Sequence, residues 1–412
     1  MIQIALLGHG VVGSGVAEVL EKNRAGIEKK AGSPITIKYI LDRRSFPQLS
    51  YGDRFVKDFA IIREDPQVTV VVEAMGGIDP AFSYVRDALE AGKSVVTSNK
   101  ELVAAKGAQL LALAQKKNVN FFFEASVGGG IPIIKPIHQC LGANEITEIA
   151  GILNGTTNFI LTKMLREGME FQDALALAQA LGYAERDPTT DVEGHDACRK
   201  ICILASLAFG SHVYPDGVYT QGITRITPQD MACAAAWGGV VKLIARARRL
   251  EDGRVAAMVS PAFVSRDSQL SGVDDVYNGI LVRGDVTGDV MFYGKGAGKL
   301  PTASAVVSDV IDAVKADGTV GSLQWRDAQP GMLAPFGDYP VTACLQIAGE
   351  MARDKAQALF GTGLLQFLSL REPGDGVAFV TPELTEEELA AKVRALEEND
   401  IRVRSLVRVL DC

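Results

Sequence analysis

Residues 2–13 read IQIALLGHGVVG, an apolar run that ends in the glycine pattern Gly8-x-Gly10-x-x-Gly13. A continuous apolar run is typical of a central strand in a parallel sheet. Gly-x-Gly-x-x-Gly between a strand and a helix is the fingerprint of dinucleotide binding, because its glycines allow a tight turn and close approach of a pyrophosphate. A chance glycine-rich turn is the alternative. The stretch predicts that a dinucleotide binds at these three glycines.

The segments that follow alternate between helical and strand-like patterns as far as residue 125. Such alternation predicts an α/β fold with a doubly wound parallel sheet of the Rossmann type. We expect the fingerprint helix to extend from Ser14 to about Lys30, and further helices at about 80–91 and 101–116. The other strands of the sheet are expected at 35–41, 68–74, 93–98 and 118–125.

The second strand ends in Asp42-Arg43-Arg44, which is ambiguous about the cofactor. An acid at this place holds the ribose 2′-hydroxyl of NAD, whereas an arginine accepts the 2′-phosphate of NADP. Because both residue types are present, the hypotheses are dual use and a preference for NADP through Arg43.

Polar residues follow two other predicted strands, at the ends where ligands collect in open parallel sheets. Lys100 comes just after the strand at 93–98, and the alternative is an ordinary solvated lysine at a helix start. The stretch 124–132, EASVGGGIP, contains three consecutive glycines, which indicate an unusual backbone or a close neighbour. Exposed carbonyls there could hold a monovalent cation, and a plain interdomain hinge explains the glycines equally well.

Residues 181–200, LGYAERDPTTDVEGHDACRK, place five carboxylates, a histidine and a lysine in a loop that continues into a helix. Asp196 and Lys200 are four residues apart, so they share one helical face. The helix to Phe209 is mostly apolar, and a buried amine needs a carboxylate partner or a lowered pKa. The pair predicts a proton-transfer lysine, with a structural ion pair as the alternative.

The remaining sequence indicates an α+β catalytic and dimerisation domain and a small C-terminal domain. We expect a strand and then a helix in 144–161, a helix at 172–181, strands near 255–264 and 277–293, and a helix at about 302–315. Residues 341–412 have a βαββαβ order after a linker at 326–340, with Ile401, Val403, Val407 and Val409 on one face of the last strand. The predicted domains are 1–131, to which 299–325 return, 132–298, and 341–412.

Composition argues against several classes of protein. A net charge of −8 disfavours nucleic-acid binding. No apolar run approaches the ~18–20 residues of a membrane span, and no basic leader or cleavage site resembles a signal peptide. The six cysteines are scattered without a Cys-x-x-Cys motif, which favours reduced thiols in a cytoplasmic protein.

Seven stretches, taken in order, resemble the homoserine dehydrogenase family: GHGVVGSGVAEVL, VVEAMGGIDPA, VVTSNKELVA, EASVGGGIPIIKPI, GILNGTTNFIL, LGYAERDPTTDVEGHDACRK and YGKGAGKLPTASAVVSDV. The resemblance extends from Ile2 to about Val314. It implies reversible reduction of L-aspartate 4-semialdehyde to L-homoserine with NADPH or NADH, in the biosynthesis of threonine, methionine and isoleucine. It also implies a homodimer or homotetramer.

The resemblance further implies roles for individual residues. Lys200 matches the family's proton-transfer lysine, and Lys100 matches a second lysine near nicotinamide and substrate. We expect Asp196 to orient either the substrate or Lys200. The implied substrate contacts are Glu185, Asp191, Asp196, Gly182 and Tyr183. The implied cofactor contacts, beyond the fingerprint glycines, are Val11, Val12, Gly296 and Gly298. A structural Na⁺ or K⁺ would be held by backbone oxygens of Glu124, Val127, Gly129 and Ile131.

The C-terminal element order resembles an ACT domain, which many bacterial members of the family use for feedback by L-threonine. The usual Asp-x-Pro-Gly-like turn after the first strand is replaced by Gly349-Glu-Met-Ala-Arg-Asp-Lys355. A threonine effector site and a dimerising or unresponsive unit are therefore both open hypotheses.

Three rival functions are weaker. A metal-dependent hydrolase would use Asp187, Asp191, Glu193, His195 and Asp196, but no His-Glu-x-x-His motif or cysteine cluster supplies the ligand spacing. A dehydrogenase working through a thioester lacks a cysteine in a glycine-rich nucleophile setting. A non-catalytic sensor would need to have lost the lysines or carboxylates of the site, and all of them are present.

Overall fold

The structure is a computed structural model that describes residues 1–316, 319, 321, 323–370 and 376–410. Two sheets organise it, a six-stranded parallel sheet and an 11-stranded mixed sheet, with helices packed against both. The predicted α/β class with a Rossmann-type sheet is confirmed. In the described part of the chain, every helix is too short or too polar to cross a lipid bilayer.

The parallel sheet is built by the first third of the chain. Its strands have the order β3-β2-β1-β4-β5-β6, which places the carboxyl ends of β1 and β4 together at the point where the order reverses. The elements are β1 (Ile2–Leu7), α1 (Val11–Lys22), α2 (Arg24–Ala31), β2 (Ile35–Leu41), β3 (Phe55–Val56), α3 (Ala60–Glu64), β4 (Val68–Glu73), α4 (Ala81–Glu90), β5 (Ser94–Thr97), α5 (Lys100–Lys117) and β6 (Phe121–Phe122).

The predicted extents of one helix and one strand in this part of the chain were wrong. The helix expected from Ser14 to Lys30 is divided in two at Asn23, a residue type that favours helix ends over helix interiors. The strand expected at 118–125 is only two residues long. It stops because the chain enters a tight 3₁₀ turn, in which the Ser126 hydroxyl donates to the Phe123 carbonyl at 2.6 Å.

The middle of the chain forms the central part of the mixed sheet, with antiparallel neighbours in the order β12-β11-β7-β9-β10. The elements are β7 (Ile146–Ile152), α6 (Gly155–Glu167), α7 (Phe171–Ala180), α8 (Thr189–Val192), α9 (His195–Phe209), β8 (Tyr219–Thr220), α10 (Pro228–Trp237), β9 (Gly239–Arg249), β10 (Val255–Ser265), β11 (Tyr277–Gly284), β12 (Gly288–Lys295) and α11 (Lys299–Lys315). Strand β9 and helix α10 were missing from the sequence prediction. In β9 a buried lysine, Lys242, donates to the Val273 carbonyl, so a charged residue interrupts the apolar pattern.

Helix α9 lies between the two sheets, in a hydrophobic core that its apolar residues share with α5, β7, β9 and β10. Helix α11 packs back onto the parallel sheet beside α1, where Gly15 is required because a Cβ there would lie 2.9 Å from the Lys299 carbonyl oxygen. The carboxyl ends of the parallel strands and the N-terminal half of α9 therefore face a common region.

The C-terminal unit continues the mixed sheet. Its elements are β13 (Pro340–Ala348), α12 (Ala352–Phe360), β14 (Gln366–Phe367), β15 (Gly376–Val380), β16 (Leu384–Thr385), α13 (Glu386–Glu398) and β17 (Arg402–Leu410). Strand β17 pairs in parallel with β10 and antiparallel with β13, so a single sheet passes from the central unit into the C-terminal one. Helices α12 and α13 pack on one face of this extension.

The last strand does not keep the alternation that its sequence suggested. Its pairing with β13 shifts register between Gln346 and Ile347, which leaves Arg404 as an extra residue. A bulge of this kind exchanges the two faces of a strand. Val403 consequently packs with the helices of the C-terminal unit, whereas Val407 packs into the core on the opposite face.

Candidate active site

The fingerprint glycines lie in the turn between β1 and α1, and two of them have no room for a side chain. A Cβ on Gly13 would lie 2.1 Å from the Gly8 carbonyl oxygen, and one on Gly8 would lie 2.9 Å from that of Ala74. Gly10 is the N-cap of α1 and is surrounded by open space, and Val11 after it is exposed. The start of α1 is therefore accessible to an anionic group.

The acid at the end of β2 is already engaged by the protein. Asp42 accepts from the His9 backbone N–H at 2.8 Å and from Nε and Nη2 of Arg44 at 3.1 and 3.0 Å. These bonds to Arg44 hold the pKa of Asp42 well below its usual range. The Lys57 ammonium donates to the carbonyls of residues 42, 43 and 44. Arg43 is exposed, and no described residue bonds its guanidinium, so it remains available to a ligand.

Two of the three glycines at 128–130, Gly129 and Gly130, pack against a second glycine-rich turn at residues 294–298. A Cβ on Gly129 would lie 2.3 Å from the Gly296 carbonyl oxygen, and one on Gly296 would lie 2.0 Å from Asn278 Nδ2. The Gly130 N–H donates to the Lys295 carbonyl at 3.0 Å. The two turns are thus packed backbone to backbone, and Gly298, the last residue of the second turn, is the N-cap of α11.

A network at the ends of β4 and β5 fixes the start of α5, where Lys100 is the first residue. The buried Glu73 carboxylate accepts from the Thr97 hydroxyl at 2.5 Å, and Thr97 Oγ1 accepts from the Asn99 N–H at 2.9 Å. The Asn99 side chain caps α5 by accepting from the Leu102 N–H. Lys100 therefore leaves a helix start that hydrogen bonds hold in place.

Lys100, Asp196 and Lys200 meet in one contact. Lys200 is 7% exposed, and its Nζ donates to Asp196 Oδ2 at 2.8 Å and to the Leu153 carbonyl at 2.7 Å. Lys100 forms an ion pair with the other oxygen of Asp196. Since Asp196 is 2% exposed, one buried carboxylate is shared by two ammonium groups.

The electrostatics of this contact separate the two lysines. Burial, together with the neighbouring charge of Lys100, lowers the pKa of Lys200 despite its contact with Asp196. Burial also opposes ionisation of Lys100, but the contact with Asp196 outweighs it and raises the pKa of that lysine. Burial alone would raise the pKa of Asp196, yet Lys200 and Lys100 together bring it well below its usual range. Lys200 is thus the lysine suited to exchanging a proton.

Asn154 is part of this cluster, and the sequence prediction missed it. Its Nδ2 donates to Asp191 Oδ1 at 2.7 Å and to Asp196 Oδ2 at 2.9 Å. It is brought there by the end of β7, in the stretch Asn154-Gly-Thr-Thr-Asn158, whose polar residues at a strand end were the available signal. Asp191 is half-buried, and burial together with the charge of Asp196 raises its pKa.

The other residues expected at the substrate lie at the exposed rim. The Tyr183 carbonyl accepts from the Thr156 hydroxyl at 2.7 Å, and the Tyr183 ring packs against Phe159. Gly182 adopts a φ of +75° in the same exposed turn. Among the described residues, no hydrogen bond or ion pair joins the Glu185 carboxylate to the lysine cluster, and that side chain faces solvent.

The ligand set of a metal-dependent hydrolase does not assemble. Asp187 accepts from the Thr189 hydroxyl at 2.6 Å within its own loop, and His195 is exposed at the start of α9. The described residues contain no cluster of three or more His, Cys, Asp and Glu side chains that could hold a metal ion.

The loop expected to bind a monovalent cation is buried around Glu124, Val127, Gly129 and Ile131. The Glu124 carboxylate caps the turn that leads into a short π-helix, Pro136–Cys140, accepting from the N–H groups of residues 133, 134 and 135 at 2.6 to 2.9 Å. The Glu124 N–H donates to Asp309 of α11, whose pKa burial raises to about 7 despite an ion pair with Lys135. Only backbone oxygens of this loop are left as candidate cation ligands.

Two family descriptions match the chain. Residues 8–124 match the NAD binding domain of homoserine dehydrogenase, and residues 132–311 match the homoserine dehydrogenase domain. The C-terminal unit lies beyond both matched ranges.

Relatives and solved structures agree with these matches. A homoserine dehydrogenase of Pseudomonas aeruginosa is 43% identical over 349 residues, which cover 83% of this chain and 80% of that protein. One of Lactococcus lactis is 36% identical over 99% of both chains. The crystal structure of a homoserine dehydrogenase from Thiobacillus denitrificans superposes with a TM-score of 0.90 at 35% identity, covering 100% of this chain and 98% of the other. A hyperthermophilic archaeal homoserine dehydrogenase in complex with NADPH has a TM-score of 0.64 at 30% identity, covering 76% and 97%.

Proposed function

The chain belongs to the homoserine dehydrogenase family of NAD(P)-dependent oxidoreductases, and on this premise we propose that it interconverts L-aspartate 4-semialdehyde and L-homoserine with Lys200 as proton donor and acceptor. The observation that supports this role is the buried Lys200 amine, held by Asp196 and the Leu153 carbonyl. The direct test is oxidation of NAD(P)H by the purified protein when L-aspartate 4-semialdehyde is added. Absence of turnover with either cofactor would contradict the proposal.

The geometry around Lys200 leaves one direction open for the substrate oxygen. An ammonium has three N–H groups, and two of those of Lys200 are bonded to protein oxygens. In reduction the third N–H would donate to the oxygen of the aldehyde as it becomes an alkoxide. In oxidation of homoserine the neutral amine would keep the same two bonds and direct its lone pair to the hydroxyl. A bound nicotinamide supplies or accepts the hydride.

The remaining charges suit the rest of the substrate. Lys100 is partly exposed and lies on the far oxygen of Asp196, where its positive charge would stabilise negative charge developing on the substrate oxygen. Asp191 and Glu185 are the carboxylates proposed for the substrate's α-ammonium, with Gly182 and Tyr183 in the turn beside them. The lowered pKa of Lys200 means that its neutral form appears at lower pH than for a free lysine, which favours the oxidation direction.

We infer a preference for NADP, because Asp42 is occupied by Arg44 whereas the Arg43 guanidinium is available. Arg43→Ala is expected to raise KM for NADPH roughly tenfold, the value of one lost charge-assisted contact, and to leave KM for NADH unchanged. Steady-state kinetics with both cofactors measure this. Arg24→Ala, which removes an exposed arginine of α2, is the matched control, and an unchanged ratio of the two constants in Arg43→Ala would remove that residue from cofactor selection.

A structural Na⁺ or K⁺ is proposed at the backbone oxygens of Glu124, Val127, Gly129 and Ile131. Two observations support this site: the loop is buried, and the Glu124 carboxylate already accepts from backbone N–H groups. Carbonyl oxygens of the loop therefore remain as ligands, and these are the ligands that such cations prefer. Thermal unfolding in KCl, in NaCl and in tetramethylammonium chloride at equal ionic strength would test it.

L-Threonine is proposed as an effector of the C-terminal unit. A cleft of about 600 Å³ lies where this unit meets the central one, lined by Arg225, Gln346 and Ser405 among others. The segment carrying Arg225 reaches the substrate loop, residues 181–194, since the Ile223 N–H donates to the Val192 carbonyl at 2.8 Å. Occupation of the cleft would therefore act on the loop that bears Asp191 and leads to Asp196 at the start of α9.

Activity titrated with L-threonine tests this proposal. Inhibition of the wild-type chain is expected, and Arg225→Ala is expected to raise the half-inhibitory concentration roughly tenfold, since it removes a charged contact to the effector's carboxylate. Arg266→Ala, an exposed arginine elsewhere in the central unit, is the control. A wild-type chain unaffected by threonine would mean that the C-terminal unit has another role.

Assembly into a homodimer or homotetramer is proposed through the central unit. The support is its edge strand β12, where Tyr293 is 54% exposed and stacks on Tyr277, because an open edge of this kind is usually covered. Sedimentation velocity would give the number of chains.

Growth of a homoserine auxotroph carrying this chain would test its proposed place in threonine, methionine and isoleucine biosynthesis.

A further inference from the structure

We propose that Asn154 is a positioning residue, which holds the carboxylates of Asp191 and Asp196 together and so fixes the direction of the Lys200 amine. The proposal rests on the function assigned above to Lys200. It concerns a residue at the end of β7 that is 5% exposed and lies between the substrate loop and α9.

The orientation of the Asn154 carboxamide is fixed by its oxygen. Asn154 is the N-cap of α6, and its Oδ1 accepts from the Thr157 N–H at 2.9 Å and from the Thr157 hydroxyl at 3.0 Å. The opposite orientation would turn that oxygen toward two carboxylates and leave the cap unmade, so the hydrogen-bond network permits only one assignment. Both N–H groups of the amide therefore point into the site.

Those two N–H groups are divided between two acids. One donates to Asp191 Oδ1 at 2.7 Å and the other to Asp196 Oδ2 at 2.9 Å. Two carboxylates that share a buried site repel each other, and each needs a donor to remain charged there. A single neutral amide donates to both acids, beside the two lysines that contact Asp196, so the position of one acid depends on that of the other.

The same oxygen of Asp196 also accepts from Lys200, which connects the amide to proton transfer. Asp196 Oδ2 receives both Asn154 Nδ2 and Lys200 Nζ, and the carbonyl of the preceding residue, Leu153, takes a second N–H of that lysine. Residues 153 and 154 thus act as one unit, in which the backbone holds the amine and the side chain holds its counter-ion. The amide draws charge from Asp196 and weakens its hold on the Lys200 proton.

Two substitutions at this position separate its donors from its capping oxygen. Asn154→Asp keeps the shape and the helix cap but places oxygen where the donors were, and Asn154→Ser keeps a capping hydroxyl but removes the donors. We expect the rising limb of the pH profile for homoserine oxidation to move upward by about one pH unit in Asn154→Asp and by less in Asn154→Ser, because a more negative site retains the Lys200 proton. KM for homoserine is expected to rise roughly tenfold in both, as Asp191 is released, with KM for NADP unchanged.

The matched control is Asn158→Ser, in the same turn. The Asn158 amide is also buried, but it donates to the carbonyls of Val273, Asp275 and Tyr277, away from the lysine cluster. Asn158→Ser should lower Tm without moving the rising limb of the pH profile. Should Asn154→Asp fail to fold, Asn154→Ser decides alone, since serine is among the preferred N-cap residues.

Failure of this inference is distinguishable from failure of the function proposed for Lys200. The pH limb should disappear in Lys200→Met; if it persists there, the proton-transfer role is wrong, and the homoserine KM of the two Asn154 variants then decides the carboxylate bridge by itself. If the limb depends on Lys200 but both Asn154 variants keep the wild-type limb and the wild-type KM, Asn154 is only a helix cap and the inference is overturned.

Discussion

Lys200→Met is expected to lower kcat in both directions by a factor on the order of 10²–10⁴, the usual value of a positioned acid or base, while the fold is kept. Methionine replaces the buried stem of Lys200 with a side chain of similar length and removes only the amine. The loss should appear in kcat more than in KM for homoserine, because the carboxylates proposed for the substrate's ammonium remain. Stopped-flow and steady-state rates, together with Tm, measure the change.

The chain offers a matched control for this substitution in Lys242, another buried lysine. Lys242 is 1% exposed and donates to the Val273 carbonyl and to Asn158 Oδ1. It lies in strand β9 of the mixed sheet, away from the carboxyl ends of the parallel strands. Lys242→Met should change Tm and leave kcat near the wild-type value. A Lys200→Met enzyme with near wild-type turnover would refute the assignment.

Asp196→Asn is the second substitution for which a large effect is expected. It removes the negative charge that Lys100 and Lys200 share, so two ammonium groups would face each other without the carboxylate that contacts both. We expect kcat for reduction to fall by a factor on the order of 10²–10³, since Lys200 would lose its proton before it could donate it.

For Asp196→Asn we also expect the pH profile of homoserine oxidation to move in a defined direction. The charge of Asp196 opposes the lowering of the Lys200 pKa, so its removal should lower that pKa further. The rising limb of homoserine oxidation should move to lower pH, opposite to the shift expected for Asn154→Asp. Asp274→Asn, which removes the partner of Lys242, serves as control and should leave the limb in place. A limb that moves upward in Asp196→Asn would be inconsistent with this arrangement of charges.

Much of the fold and the contact at its centre were predictable because they depend on local spacing. Gly8 and Gly13 specify a turn that has no room for a side chain at either position, as the 2.1 Å approach at Gly13 demonstrates. The spacing of Asp196 and Lys200 places both on one helical turn, and the predicted contact between them is observed at 2.8 Å. Lys100 was predicted from its place after a parallel strand, where the topology alone brings side chains together.

Other features depend on contacts between distant segments and left little trace in the local pattern. The bridge from Asn154 to Asp191 and Asp196 joins strand β7 to residues some forty positions later. The occupation of Asp42 by Arg44, which supports the proposed preference for NADP, depends on side-chain directions that the run Asp42-Arg43-Arg44 does not specify. The missed strand β9 carries a buried charge, Lys242, whose acceptors, Asn158 Oδ1 and the Val273 carbonyl, come from segments far away in the sequence.

Because β17 pairs with β10, the mixed sheet stays incomplete until the last strand of the chain has been synthesised. During synthesis, β10 emerges long before β17, and until β17 arrives the stretch Ala262–Val264 has an unpaired edge beside apolar strands. Unpaired edges are where nascent chains associate wrongly. A stop codon after residue 340 would therefore do more than delete an appended unit, because it would leave this edge of the mixed sheet permanently unpaired and prone to aggregation.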